Sequence, residues 1–117
     1  MDRLLRATIN TWHGLLDAAR SEAAFRQELV ALLISVPLAF AVAGENWKRL
    51  LLIAVVALVL IVELLNTAIE KLADRVTMTR EDQIRQVKDM GSAAVGLALL
   101  AAAATWLLAL AERLGLV

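Results

Sequence analysis

The sequence predicts an all-α integral membrane protein in which one amphipathic surface helix precedes three transmembrane helices. Of its 117 residues, 61% are hydrophobic, against roughly 45–50% in soluble domains. The formal net charge is zero, so electrostatics does not favour nucleic acid as a partner. The chain has no cysteine and one histidine, which excludes disulfides, a thiol nucleophile and a histidine metal cluster. We expect residues 1–117 to form a single domain.

The first element is an amphipathic helix over residues 3–20. Leu5, Ile9 and Trp12 recur every three or four positions, with charged and polar residues between them. This spacing places the apolar side chains on one face, which is typical of a helix that lies on a membrane surface. Ser21 is the expected hydroxyl cap of the next helix.

Three apolar runs then predict membrane spans at residues 29–47, 50–69 and 90–111. Each is close to the roughly 20 residues that cross a bilayer core as a helix. Trp47 and Trp106 fall near predicted span ends, where indole rings favour the membrane interface.

The distribution of lysine and arginine predicts the orientation. The N-terminal segment and the connection between spans two and three carry most of these cations, which places both in the cytoplasm. No cleavable signal peptide is expected, because the first long apolar run begins only at Leu29, after several charges. The cytoplasmic cations are Arg3, Arg6, Arg20, Arg26, Lys71, Arg75, Arg80, Arg85 and Lys88, against Lys48, Arg49 and Arg113 on the other side.

Span two reaches membrane length only if it includes Glu63. The uncharged run over residues 50–62 is about 20 Å long as a helix, whereas a bilayer core is roughly 30 Å thick. A carboxylate in the hydrocarbon region costs at least ~2.5 kcal/mol on insertion scales, and such residues usually face the bundle interior and have a function. Glu63 is therefore the first candidate for chemistry.

A polar stripe continues from this residue along the same helix. Glu63, Asn66, Glu70 and Asp74 fall within an arc of about 80°. A polar seam that holds helices together by hydrogen bonds is the simpler interpretation. Two acids join helices poorly unless a cation or a proton links them, so a functional site is favoured.

Other polar residues lie at the same predicted depth, on spans one and three. Each has a simple alternative explanation: a helix salt bridge between Glu22 and Arg26, a solvated boundary charge at Glu28, and a snorkelling Lys88 beside a helix-starting Asp89. Their shared depth beside an embedded acid favours a site. The set is Glu22, Arg26, Glu28, Lys88, Asp89 and Ser92.

These residue types together suit phosphoryl transfer to an alcohol dissolved in the membrane. Glu22 and Glu70 offer the oxygen ligands that Mg²⁺ prefers, and Lys88 suits a phosphate. The desolvated Glu63 is placed to act as a general base for a hydroxyl. No Walker motif, kinase glycine-rich loop or HRD signature is present, which excludes the known soluble kinase folds.

Three segments resemble the small bacterial integral-membrane diacylglycerol kinases: EAAFRQE at residues 22–28, VELLNTAIEKLADR at 62–75 and KDMGSAAV at 88–95. The resemblance implies a homotrimer with composite active sites, in the bacterial inner membrane, with the N-terminus and the active site facing the cytoplasm. It further implies transfer of the γ-phosphate of MgATP to diacylglycerol, giving phosphatidic acid.

The resemblance also implies roles for individual residues. Glu63 matches the catalytic base, and Glu22 and Glu70 match the acids that hold the Mg²⁺ bound to ATP. The chain departs from the family pattern at Asn10 and His13 of the surface helix. Nucleotide contacts are implied for Arg3, Glu22, Glu70, Lys88 and Asp89, and substrate contacts for Arg26, Glu28, Asn66, Ser92 and Trp106.

Two other functions compete with this interpretation. A kinase of undecaprenol, from a sister branch, would share the ELLNTAIE stripe, although AAFRQ after Glu22 and DMGSAA after Lys88 favour the diacylglycerol branch. A non-catalytic membrane protein, such as a proton-linked channel subunit, would explain Glu63 but would give the other charged residues no purpose.

Overall fold

The computed structural model describes residues 2–76 and 81–117, and every regular element in them is an α-helix. The all-α prediction is therefore confirmed, including a first helix that differs by one residue at each end from the predicted 3–20. The four helices are α1 (Asp2–Ser21), α2 (Ala23–Val42), α3 (Asn46–Val76) and α4 (Asp82–Arg113).

Helices α2, α3 and α4 are each long and apolar enough to cross a membrane, as predicted. Large apolar side chains remain exposed along all three, for example Leu33, Ile61 and Leu100. Exposed apolar surface on this scale is typical of a membrane or protein contact surface. The orientation stays a prediction, and Arg80, one of the cations that support it, lies outside the described residues.

Helix α3 lies at the centre of the bundle and packs along both α4 and α2, while α1 packs mainly on α2. Ala18, Phe25 and Leu60 form a buried cluster that joins α1, α2 and α3. A second cluster, with Ala39 and Leu52 at its centre, joins α2 and α3 near the other end. The first cluster fixes the junction of α1 and α2 beside the part of α3 that carries Glu63.

The junction of α1 and α2 differs from the prediction at Ser21. This residue is the last of α1, and its hydroxyl donates to the Asp17 carbonyl one turn back, at 2.8 Å. Glu22 takes the cap position of α2 instead, with an extended backbone and no side-chain capping hydrogen bond. The prediction that Ser21 caps α2 is wrong because a serine inside the last turn can satisfy its hydroxyl within its own helix.

The first span ends earlier than predicted. Helix α2 ends at Val42, and Trp47 lies in the first turn of α3 instead of at the end of span one. Arg49 stabilises this turn, since its Nε donates to the Ala43 carbonyl at 2.9 Å. Small apolar residues continue past the helix end at Ala43, so hydropathy alone did not mark the boundary.

Helices α3 and α4 both extend beyond their apolar runs. Helix α3 continues to Val76, and α4 begins at Asp82 instead of residue 90. An acid in the first turn of a helix is favoured by the helix dipole. Asp89 consequently lies well inside α4, and the interpretation of Asp89 as a helix-starting acid is wrong.

Candidate active site

Two members of the polar stripe of α3 contact each other, and a third pairs with a side chain of α4. Asn66 Nδ2 donates to Glu70 Oε1 at 3.3 Å. Asp74 Oδ1 accepts from Lys88 Nζ of α4 at 2.5 Å. Asn66 is buried and Glu63, one turn away, is half-buried. The stripe therefore extends from an embedded carboxylate to an exposed ion pair between α3 and α4.

Two further acids from the start of α2 approach this stripe. Glu22 and Glu70 both interact electrostatically with Glu63, and so does Glu28. One oxygen of Glu28, Oε2, is buried without a hydrogen-bond partner among the residues that the structure describes. The alternative interpretation of Glu28 as a solvated boundary charge is therefore wrong. A single chain brings three other carboxylates, from α2 and α3, into electrostatic range of Glu63.

Four acids in one place require cations or protons, because like charges at short range disfavour the ionised state. No three metal-ligating side chains in the described part of the chain are arranged to hold a metal ion by themselves. Mg²⁺ usually takes one or two protein carboxylates and completes its ligands with water and substrate phosphates. The donor set of Glu22 and Glu70 fits a metal that arrives with a phosphate.

Helices α3 and α4 lie in close contact where Asn66 meets Gly91. A Cβ atom added at Gly91 would overlap the Asn66 Oδ1 atom. Asn66 Oδ1 is also buried and has no hydrogen-bond partner among the described residues. The absence of a side chain at Gly91 thus gives the Asn66 amide its position, from which it contacts Glu70.

The predicted nucleotide contacts on α4 lie beside the Asp74 end of the stripe. Lys88 pairs with Asp74, and Asp89 accepts from Arg85 at 2.9 Å. Ser92, one turn further along α4, is exposed. Because a lysine ammonium carries three donors, Lys88 retains two for a phosphate while it remains paired with Asp74.

Arg26 has a different role from the predicted salt bridge. Its Nη1 donates to the carbonyl oxygens of Ala19 and Arg20, at 2.8 and 3.2 Å. These are carbonyls at the C-terminus of α1 that lack a partner within the helix, and a guanidinium satisfies them well. The salt bridge between Glu22 and Arg26 is not formed in the described structure. Arg26 instead fixes the junction that carries Glu22.

Two predicted site residues are not brought to the cluster within one chain. Arg3 lies at the start of α1, about 27 Å along the helix from Ser21. Trp106 packs near the opposite end of the bundle, where its indole N–H donates to the Leu52 carbonyl at 3.0 Å. Leu52 precedes Glu63 on α3 by about 16 Å of helix.

A cavity of about 430 Å³ opens between α1 and α3, lined on α3 by Leu64, the chain neighbour of Glu63. Leu15, Ala18 and Leu64 give it an apolar wall, and Lys71 lies at its edge. Lys71 Nζ also donates to Ser21 Oγ at 3.2 Å, which links the end of α1 to α3. The sequence analysis did not assign Lys71 or Gly91 to the site. The only signal for Gly91 was a small residue in a membrane helix, where close packing is common.

Known proteins resemble the chain over nearly its whole length. The sequence profile of the family "Prokaryotic diacylglycerol kinase" matches residues 9–110. The diacylglycerol kinase of Escherichia coli strain K12 is 43% identical over 113 residues, which cover 97% of this chain and 93% of that protein. The diacylglycerol kinase of Pseudomonas aeruginosa PAO1 is 45% identical over 106 residues, covering 91% and 86%.

A more distant relative, the diacylglycerol kinase of Haemophilus influenzae Rd, is 35% identical over 106 residues, covering 91% of this chain and 90% of that protein. The segments with the predicted acids, at residues 22–28 and 62–75, and the segment at residues 88–95 all fall inside the profile match. With its length, its acids and its three apolar helices, the chain belongs to the prokaryotic diacylglycerol kinase family.

Proposed function

We propose that this protein transfers the γ-phosphoryl group of ATP to the free hydroxyl of diacylglycerol, producing phosphatidic acid and ADP. The observation that carries the proposal is the set of three carboxylates around Glu63, at the boundary of a membrane helix. The boundary position suits a reaction between a water-soluble donor and a lipid acceptor. Family membership and the names of the relatives support the same reaction.

In the proposed mechanism Glu63 is the general base. Its carboxylate takes the proton from the lipid hydroxyl as that oxygen attacks the γ-phosphorus of ATP. The bond from the γ-phosphorus to the bridging oxygen breaks, and ADP leaves with that oxygen. Positioning of the two substrates supplies much of the remaining acceleration, because phosphoryl transfer needs little covalent chemistry from the protein.

Glu22 and Glu70 are proposed to hold Mg²⁺ together with the phosphates of ATP. The ion would neutralise phosphate charge that otherwise meets four acids. Asn66 orients Glu70 through the hydrogen bond of 3.3 Å, and Lys88 offers its remaining donors to a phosphate. Arg3 and Asp89 remain proposed nucleotide contacts.

The acceptor lipid is proposed to enter beside Glu63. The partnerless Glu28 Oε2 can accept a hydrogen bond from a lipid hydroxyl, and the apolar wall of the cavity between α1 and α3 can receive acyl chain. Arg26, Asn66, Ser92 and Trp106 remain proposed substrate contacts. Of these, Arg26 acts in one chain through the junction that it fixes.

The experiment that tests the function is an assay of ADP release by the purified protein in mixed micelles. Diacylglycerol, undecaprenol and no lipid alcohol are compared at equal mole fraction. We expect rapid ADP release only with diacylglycerol. Faster turnover with undecaprenol would assign the protein to the sister activity, and no release with either alcohol would favour a non-catalytic membrane protein.

Glu22→Gln and Glu70→Gln should each weaken the response to Mg²⁺. Each variant removes one charged ligand oxygen, so we expect the Mg²⁺ concentration for half-maximal rate to rise about tenfold or more, the size of one charge-assisted interaction. Glu81→Gln is the matched control, because Glu81 is an exposed acid at the start of α4 without a capping hydrogen bond. Unchanged Mg²⁺ dependence in both single variants would remove these residues from the metal site.

We also propose that the single domain of residues 1–117 assembles as a homotrimer in the bacterial inner membrane, with the acids facing the cytoplasm. Nearly all residues in the apolar stretch of α4 remain unburied within one chain. Ala94 and Ala102 give this helix a surface for close packing. Native mass spectrometry of the detergent-solubilised protein should give the mass of three chains. A monomer or a dimer as the main species would contradict the trimer.

A further inference from the structure

A second polar site lies at the end of the bundle away from the acids. A cavity of about 240 Å³ is lined there by Lys48 of α3 and by Glu112 and Arg113 at the end of α4. Lys48 precedes Glu63 by fifteen positions on α3, or about 22 Å of helix. The cavity is therefore separate from the proposed active site, and the inference from it does not depend on the proposed function.

An apolar cavity of about 160 Å³ adjoins the polar one and shares Lys48 and Glu112 with it. Leu51, Leu52 and Leu108 line this second cavity. These leucines lie about one turn further into the membrane-spanning parts of α3 and α4. The shared Lys48 and Glu112 thus place a polar cavity at the end of the bundle next to an apolar one towards its interior.

Three charged side chains line the polar cavity, two cations and one acid, so its net charge is +1. Lys48 is paired with Glu112 and also with Glu45, which does not line the cavity. Arg113 has no hydrogen bond or ion pair with any of the described residues, and its guanidinium retains all five of its donors. Arg113 is therefore the side chain that is ready to bind an anion.

The neighbouring Arg49 is already occupied. Its guanidinium donates to the Ala43 carbonyl and to Asn46 Oδ1, and it lies 4.6 Å from the centroid of the Phe40 ring. Arg49 does not line either cavity. It provides a control cation at the same end of the bundle.

We propose that the two cavities bind one anionic phospholipid. Arg113 and Lys48 hold the phosphodiester, and the guanidinium of Arg113 matches phosphate oxygens in pairs. The upper part of an acyl chain lies along Leu51, Leu52 and Leu108. The single negative charge of the phosphodiester balances the net charge of the polar cavity. A zwitterionic head group fits less well. The ammonium of such a head group would face Arg113, and Glu112 is already engaged by Lys48.

The test titrates the intact protein in neutral detergent with dioleoylphosphatidylglycerol and, separately, dioleoylphosphatidylcholine, and counts bound lipid by native mass spectrometry. We expect tighter binding of phosphatidylglycerol. Arg113→Gln should weaken that binding about tenfold, through loss of a charge-assisted hydrogen bond. Arg49→Gln removes the same charge at the same end and should leave the affinity nearly unchanged.

Glu112→Gln provides the opposite change. It leaves Lys48 with Glu45 as its only ion-pair partner among the described residues, so the affinity for phosphatidylglycerol should rise, while the affinity for phosphatidylcholine should not. Equal binding of the two lipids by the wild-type protein would overturn the proposal. Equal loss of affinity in Arg49→Gln and Arg113→Gln would also overturn it, because bulk charge alone would then explain the binding.

Discussion

Glu63→Gln should retain the fold and MgATP binding while it removes nearly all phosphorylation of diacylglycerol. The amide keeps the volume of the side chain but cannot accept the hydroxyl proton. General base catalysis contributes typically about 10²–10⁴-fold, so the turnover number should fall by about that factor. The measurement is ADP release in mixed micelles at saturating diacylglycerol, with MgATP affinity determined separately by calorimetry.

The same variant also separates a catalytic role from a structural one. Removal of a charge from a membrane helix lowers the cost of burial, so a structural role would leave the rate near wild type and raise the stability. A rate within a few-fold of wild type would exclude Glu63 as the base. A rate loss accompanied by loss of MgATP binding would instead assign Glu63 to the nucleotide site.

Gly91→Ala should damage both stability and activity. The added Cβ overlaps Asn66 Oδ1, so α3 and α4 must separate or the Asn66 amide must rotate. Overpacking of this kind costs typically about 1–3 kcal/mol. Because Asn66 orients Glu70, we also expect the turnover number to fall by about 10²-fold, the effect of a displacement near 1 Å in an active site. Thermal unfolding in micelles and the ADP assay measure the two effects.

Gly96→Ala is the matched control on the same helix. A Cβ added at Gly96 meets nothing within 4 Å, so this variant changes the same atoms without the overlap. We expect its unfolding temperature and rate to stay close to wild type. If the two alanine variants behave alike, the close approach of α3 to α4 at Gly91 does not position Glu70.

The helical fold and the stripe on α3 could be predicted because both depend on local periodicity. The run that reaches membrane length only with Glu63 identified the embedded acid, and a rotation of 100° per residue placed Asn66 and Glu70 beside it. Helix ends were harder to predict. The first two turns of α4 are rich in charged and polar residues, so its start at Asp82 left no signal in hydropathy.

The rest of the site depends on how the helices pack, which the sequence alone did not determine. The approach of Glu28 to Glu63 requires α2 to lie along α3 with a particular rotation. Arg26 and Glu22 have the spacing of a helix salt bridge, yet the unpaired carbonyls of α1 attract the guanidinium. A pairing rule based on spacing cannot anticipate a partner from another helix.

The single residue between α1 and α2 has a mechanical consequence. Glu22 alone separates the two helices, and Arg26 and Lys71 each hold one side of that junction. Helix α1, with twenty residues, can therefore act as a lever arm on Glu22, a proposed metal ligand. A change in the tilt of α1 would move the Glu22 carboxylate, so under the proposed function the orientation of α1 at the lipid surface and the geometry of the proposed metal site would change together.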